Sequence, residues 1–149
     1  MKKQYTTRDL QGEFGFSFDG TVTLGMPDGS SMAAPLSAVG RVDFDGEGVT
    51  EGARLLSFGG MILLEQIAHG TYSVNHNGTG IAKYVVVSEK MIGEPPPGVA
   101  LPPKNIETFS FVLSNDNKEL QFIGTGFLDA ETETPLAAVS ARGICRKQN

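Results

Sequence analysis

At 149 residues and a formal net charge of −5, the chain has the length of one domain, long enough to bury roughly two thirds of the surface its unfolded form exposes. Its 12 Lys and Arg residues are scattered except at the two termini, which argues against a nucleic-acid partner, since that affinity rests on clustered positive charge. Cys145 is the only cysteine, the N-terminus has no apolar leader-like run, and no apolar run approaches membrane-spanning length. These features predict a soluble, cytoplasmic, single domain over 1–149, with 1–9 as an N-terminal tail and neither nucleic acid nor membrane as partner.

The first predicted strand runs from about Gly12 to Phe18 and places Phe14, Phe16 and Phe18 on one face. Thr21 to Leu24 extends or follows it. Gly25 to Pro35 reads as a loop from its Gly, Pro and Ser content. A second strand, about Leu36 to Phe44, alternates Val42 and Phe44 against Arg41 and Asp43. It ends at Asp45-Gly46, a pair that tolerates the positive φ of a tight hairpin. The third strand is about Gly52 to Phe58, followed by the Gly59-Gly60 break. The fourth, about Met61 to Val74, is long enough that Gly70 is expected to mark a bulge or a strongly coiled point. A second hairpin turns at Asn77-Gly78 into a fifth strand, about Gly80 to Ser88, with apolar residues on both faces. Residues 91–104 hold five prolines and form a Pro-rich loop, because proline supplies no ladder N–H. Strands at about Glu107 to Leu113 and Glu119 to Phe127 flank a third turn, Ser114 to Lys118, and Pro135 to Arg146 supplies the last strand.

No segment of ten or more residues keeps a helical period, so little helix is predicted. Eight antiparallel strands joined mainly by short turns leave two free edges, and closing the sheet removes them. The predicted fold is all-β, an eight-stranded antiparallel up-and-down barrel of lipocalin-like shape, with a sandwich as the alternative. At that strand number the lumen is either filled by side chains or holds one small ligand.

The order of these pieces also resembles a known family. A Leu-x-Gly-x-aromatic opening strand (Leu10 to Phe14) leads to a Gly-Arg-x-x-Phe-Asp-Gly-x-Gly hairpin (Gly40 to Gly48) and a Gly-Gly pair (Gly59-Gly60). A Gly-Thr-Tyr-x-Val-Asn hairpin with a Gly-Thr-Gly exit (Gly70 to Gly80) and a closing strand with a basic tail (Ala137 to Arg146) follow. Together they resemble the bacterial members of the allene oxide cyclase-like and dirigent-like barrels, over nearly the whole chain. These are turn and strand motifs, specific for fold and weak for chemistry. The resemblance implies an apolar lumen that grips one hydrophobic substrate in a reactive shape without a cofactor. The trimer usual among the plant relatives points to a homo-oligomer, dimer or trimer. No family catalytic residue transfers by motif.

Read from the residues themselves, Glu65, His69 and Tyr72 on the long fourth strand are the candidate catalytic cluster. Glu65 and His69 are in phase, Tyr72 is out of phase, and a bulge near Gly70 would bring all three to one side. Facing inward, the carboxylate and imidazole would serve as acid and base; facing outward, they are solvated surface. Tyr72 and Tyr84 are phenol donors to a substrate carbonyl, or core aromatics whose hydroxyls reach the rim. Phe16, Phe44, Tyr84, Phe111 and Phe122 are the candidate ligand-binding wall. Arg41 and Arg142 alternate with apolar neighbours and read as outward. His76 reads as a turn residue, and Asp43, Asp45 and Glu47 lack calcium-loop spacing. Two histidines and one cysteine far apart give no metal-ligand spacing, so no metal is predicted, and neither Gly12 to Gly15 nor Gly46 to Gly48 joins a strand to a helix N-terminus, so no cofactor is predicted. The Gly25 to Pro35 and Gly93 to Pro103 loops are candidate lids over the barrel mouth or subunit contacts, with Met26, Met32, Met91, Ile92 and Leu101 as their apolar contacts.

The function expected first is a cofactor-independent cyclase or isomerase acting on a hydrophobic small molecule in the lumen. A lipocalin-like, non-catalytic carrier and a filled barrel with a self-association role are the alternatives.

Overall fold

The computed structural model describes residues 2–25, 28–60, 62–93, 105–135 and 138–148. Among these residues eight strands follow a 3-10 turn, Thr7–Asp9: β1 Gln11–Gly25, β2 Ser31–Asp45, β3 Val49–Phe58, β4 Ile62–Val74, β5 Thr79–Ile92, β6 Asn105–Leu113, β7 Glu119–Asp129 and β8 Ala138–Lys147. Each strand pairs antiparallel with its neighbours in chain order, and β1 pairs with β8 from Phe14↔Lys147 to Thr23↔Ala138, so the barrel is closed. Closure pairs every strand on both sides over part of its length, the shortest seam being β7–β8, from Glu119↔Arg146 to Ile123↔Arg142. The three predicted turns stand where the positive-φ positions fall, at Gly46 (φ 81°), Gly78 (φ 88°) and Asn117 (φ 62°).

Strand lengths differ from the sequence reading in two places. β5 runs on past Ser88 to Ile92, where Met91 and Ile92 pair with Leu64 and Leu63, so these two residues belong to a strand and not to the Pro-rich loop. Gly25 to Pro35 is not all loop, because β2 begins at Ser31 and Pro35 lies in it opposite Thr21. Pro35 is tolerated because the Pro35 carbonyl accepts from Gly59 N at 2.7 Å. In an extended strand the N–H and C=O of one residue point the same way. The missing N–H is thus turned toward the β3 flank, whose ladder has already ended at Leu36↔Phe58.

The expected bulge near Gly70 is also displaced, and the displacement decides which side chains face inward. The register shift in the β4–β5 pair falls between Ile67 and Ala68, where Ile67 opposes Ser88, Ala68 opposes Val86, and Val87 is the extra residue. The bulged strand is β5. β4 therefore alternates without interruption, with Leu64, Gln66 and Tyr72 buried and Glu65, Ile67 and His69 exposed.

The lumen is lined by aromatic rings in two groups. Phe14, Phe44 and Tyr72 pack edge to face at centroid distances of 5.4 and 5.0 Å. Phe18, Phe109 and Phe122 form a second group with separations of 5.5 to 6.0 Å, a geometry worth about 0.5–1.5 kcal/mol per pair beyond area burial. Glycine makes room for this packing. A Cβ on Gly143 would stand 2.2 Å from Ser17 O and 2.6 Å from Phe122 Cζ, so the ring occupies the space that a side chain there would take.

The end of the barrel that carries the β2–β3, β4–β5 and β6–β7 turns is closed by residues preceding β1. Leu10 is fully buried and Tyr5 nearly so. Tyr5 N donates to His76 O at 3.0 Å. Tyr72 Oη donates to Leu10 O at 2.6 Å and accepts from Gly46 N at 2.7 Å. The N-terminal segment is thus clamped against two turns. The opposite end, where Gly25, Phe58, Ile92 and Asp129 finish their strands, is called the mouth below. Most of the Gly93 to Pro103 loop, with Leu101, and Met26 lie outside the described residues.

Candidate lumenal site

Strand parity sets two charged side chains inside this apolar barrel. On β3, Arg54 is in phase with Leu56 and Phe58, and on β6, Glu107 is in phase with Phe109 and Phe111. They meet across the lumen, where Arg54 Nη2 donates to Glu107 Oε2 at 2.5 Å and each side chain is 10% exposed. Arg54 Nε also donates to Gln66 Oε1 at 2.8 Å, and Gln66 Nε2 donates to Glu89 Oε1 at 2.6 Å. A hydrogen-bonded chain therefore runs from buried Glu107 through Arg54 and buried Gln66 to solvent-exposed Glu89. The guanidinium carbon also lies 5.7 Å from the centroid of Phe18, within cation–π range.

Taking such a pair out of water is costly, and good geometry with added hydrogen bonds is what offsets the cost. Arg54 has both here. Asn105 does not: it is 3% exposed, and its Nδ2 has no hydrogen-bond partner among the described residues.

Beside the ion pair lies a cavity of about 70 Å³, lined among others by Phe18, Arg54, Tyr84, Glu107, Phe109 and Cys145. That volume holds a few waters and is well below the roughly 300–1,000 Å³ of drug-sized ligand pockets. A molecule of more than a few heavy atoms enters only as side chains rotate, and Phe16 and Phe109 are lining rings with partial exposure. Tyr84 Oη is within 3.0 Å of Thr50 Oγ1, and burial pushes its phenol well above the ordinary range. Burial likewise pushes the Cys145 thiol up to about 12. Both groups stay protonated at neutral pH, so the phenol is a donor and the thiol is inert.

The sequence-derived candidates separate into two sets. Phe16, Phe44, Tyr84, Phe111 and Phe122 all line the lumen cavity. Glu65, His69 and Tyr72 are not brought together. Glu65 and His69 point outward, and His69 Nε2 lies 3.7 Å from Glu51 Oε2 with both side chains at least 60% exposed. Tyr72 points inward at the closed end, where its hydroxyl serves the clamp to Leu10 and Gly46. Its phenol is raised chiefly by burial. Arg41 is outward and pairs with Glu13.

Arg54, Gln66, Asn105 and Glu107 were not singled out by the sequence. One signal was there: Glu107 and Arg54 are charged residues standing in phase with apolar, inward-facing runs. Compared with known protein families and with curated proteins, the chain matches none.

Proposed function

We propose that this barrel binds one small, largely hydrophobic molecule in its lumen and acts on it as a cofactor-independent cyclase or isomerase, in the manner of the allene oxide cyclase-like and dirigent-like barrels that its turn motifs resemble. The observation that carries the reading is the Arg54–Glu107 pair, nearly excluded from water and beside a cavity walled by Phe18 and Phe109. In such surroundings oriented charges act on a developing charge with little solvent screening, and a fixed cavity lowers the entropy cost of folding a flexible substrate. Glu107 is the carboxylate beside the cavity and takes the role of base, with Arg54 and the Tyr84 hydroxyl as donors to substrate oxygen.

Native mass spectrometry of the protein from its own host, before and after organic extraction, tests this. A retained hydrophobic compound that the emptied protein converts, with conversion lost in Glu107→Gln and in Glu107→Asp, supports it. A compound that is retained but never converted reduces it to a lipocalin-like carrier.

A second reading has its own support. The 70 Å³ cavity is small, and the outer face carries exposed Val39, Leu55, Ile67, Ile81, Val112 and Ile123. Both favour a filled barrel that associates with copies of itself. An empty protein of oligomeric mass that takes up no small hydrophobic probe would favour that reading over the first.

A further inference from the structure

Asn105 opens the question of what kind of molecule the lumen accepts. A buried amide N–H without an acceptor is destabilising, and such groups in folded proteins are rare enough to need an explanation. Asn105, Glu107 and Phe109 alternate on one face of β6. The unpartnered donor therefore stands one inward position beyond Glu107, about 7 Å along the strand toward the mouth. Asn105 does not itself line the 70 Å³ cavity, so a molecule resting there brings its polar end to this donor by extending past Glu107 as side chains rotate.

The charges around it narrow the choice further. One guanidinium, Arg54, faces two carboxylates, Glu107 directly and Glu89 through Gln66, so the group has a formal negative charge. The guanidinium already has acceptors on two of its nitrogens. An incoming carboxylate would give up its hydration to sit beside like charge, with no uncommitted cation among these four groups to receive it. A neutral oxygen acceptor meets no such opposition.

We infer that the lumen takes a neutral molecule bearing a carbonyl-type oxygen, a ketone, aldehyde or ester, on a small hydrophobic body, with Asn105 Nδ2 donating to that oxygen, and that it discriminates against the matching carboxylate. This rests on the lumen-binding reading above.

Three probes of similar size and the same ring separate the contributions: acetophenone, benzoate and ethylbenzene, each titrated into ¹⁵N-labelled protein and followed by NMR. Acetophenone is expected to shift the Asn105 side-chain amide resonances and to bind at least about tenfold more tightly than benzoate. In Asn105→Leu its advantage over ethylbenzene should fall by about fivefold, the scale of one neutral hydrogen bond. Asn105→Ser is the second variant should the leucine form not fold, and the amide shift in the unmutated protein needs neither. If ethylbenzene and benzoate bind as well as acetophenone with the Asn105 amide unmoved, the inference is overturned while the lumen site stands. If none of the three binds, the inference and the lumen reading fall together.

Discussion

Arg54 on β3 and Glu107 on β6 face each other across the barrel, guanidinium to carboxylate at 2.5 Å, with both side chains 10% exposed. Strands three and six have no backbone ladder in common, so this pair ties opposite walls through the lumen. Truncating either partner leaves an uncompensated buried charge. Arg54→Met or Glu107→Leu alone should lower stability by about 3–5 kcal/mol, whereas the double variant should recover most of that loss. Urea unfolding of the four proteins checks this through the midpoints at constant slope; additive single losses would show that the two side chains do not act as a pair.

Tyr72 links three segments through one oxygen. Tyr72→Phe leaves the Leu10 carbonyl and the Gly46 N–H buried and unpaired, at about 1–3 kcal/mol for each group. A loss of about 2–6 kcal/mol in total is expected, with faster amide exchange concentrated at the 45–48 turn. Unchanged exchange there would show that the clamp does not hold the turn.

Two inward glycines give opposite outcomes on the same substitution. Gly143→Ala drives a methyl into Ser17 O at 2.2 Å and Phe18 Cβ at 2.5 Å, whereas a Cβ on Gly124 finds its nearest atom, Ala141 Cβ, at 3.6 Å. Gly143→Ala should destabilise by more than about 3 kcal/mol or fail to fold, since the obstacle includes backbone that cannot step aside. Gly124→Ala should lie within about 1 kcal/mol of the unmutated protein. Thermal melts of the two variants give the comparison directly.

The buried thiol makes a stability prediction with a definite sign. Cys145 is raised from an ordinary value of 9.0 to about 12 by burial alone. Above pH 9 the unfolded chain loses this proton while the folded chain keeps it, so the folded state binds more protons and stability falls as pH rises. Between pH 9 and 12 the slope from this group is at most about 1.4 kcal/mol per pH unit. Cys145→Val should flatten the stability curve above pH 9 and leave it unaltered near pH 7. A thiol reagent at pH 8 should leave the folded protein unlabelled and label it fully in denaturant.

Glu65 and His69 lie outward with no buried partner. Glu65→Gln and His69→Ala should each change stability by less than about 0.5 kcal/mol and leave uptake of a lumenal probe unaltered. A loss of uptake in either would place the site on the outer wall.

Much of this molecule was legible in the chain. Period-two alternation identified the strands, and Asp45-Gly46 and Asn77-Gly78 located their reversals, because both signals are local: a strand has one periodicity and a tight turn demands particular backbone angles. The aromatic wall was also legible, since Phe16, Phe44, Tyr84, Phe111 and Phe122 keep phase with their buried neighbours along each strand. What local signals do not carry is absolute facing. Whether Glu65 or Gln66 looks into the lumen depends on which strand absorbs the bulge, and the extra residue proved to be Val87 on β5 rather than one beside Gly70 on β4. A slip of one residue exchanges the two faces of a strand, so that choice removed Glu65 and His69 from the interior and installed Gln66. The Arg54–Glu107 pair lies a step further from the sequence, because 53 residues separate its partners and closure of the barrel sets them opposite one another. Strand, turn and wall follow from neighbours along the chain; the facing of β4 and the charged pair across the lumen follow only from the closed sheet, in which register and closure bring distant residues to one point.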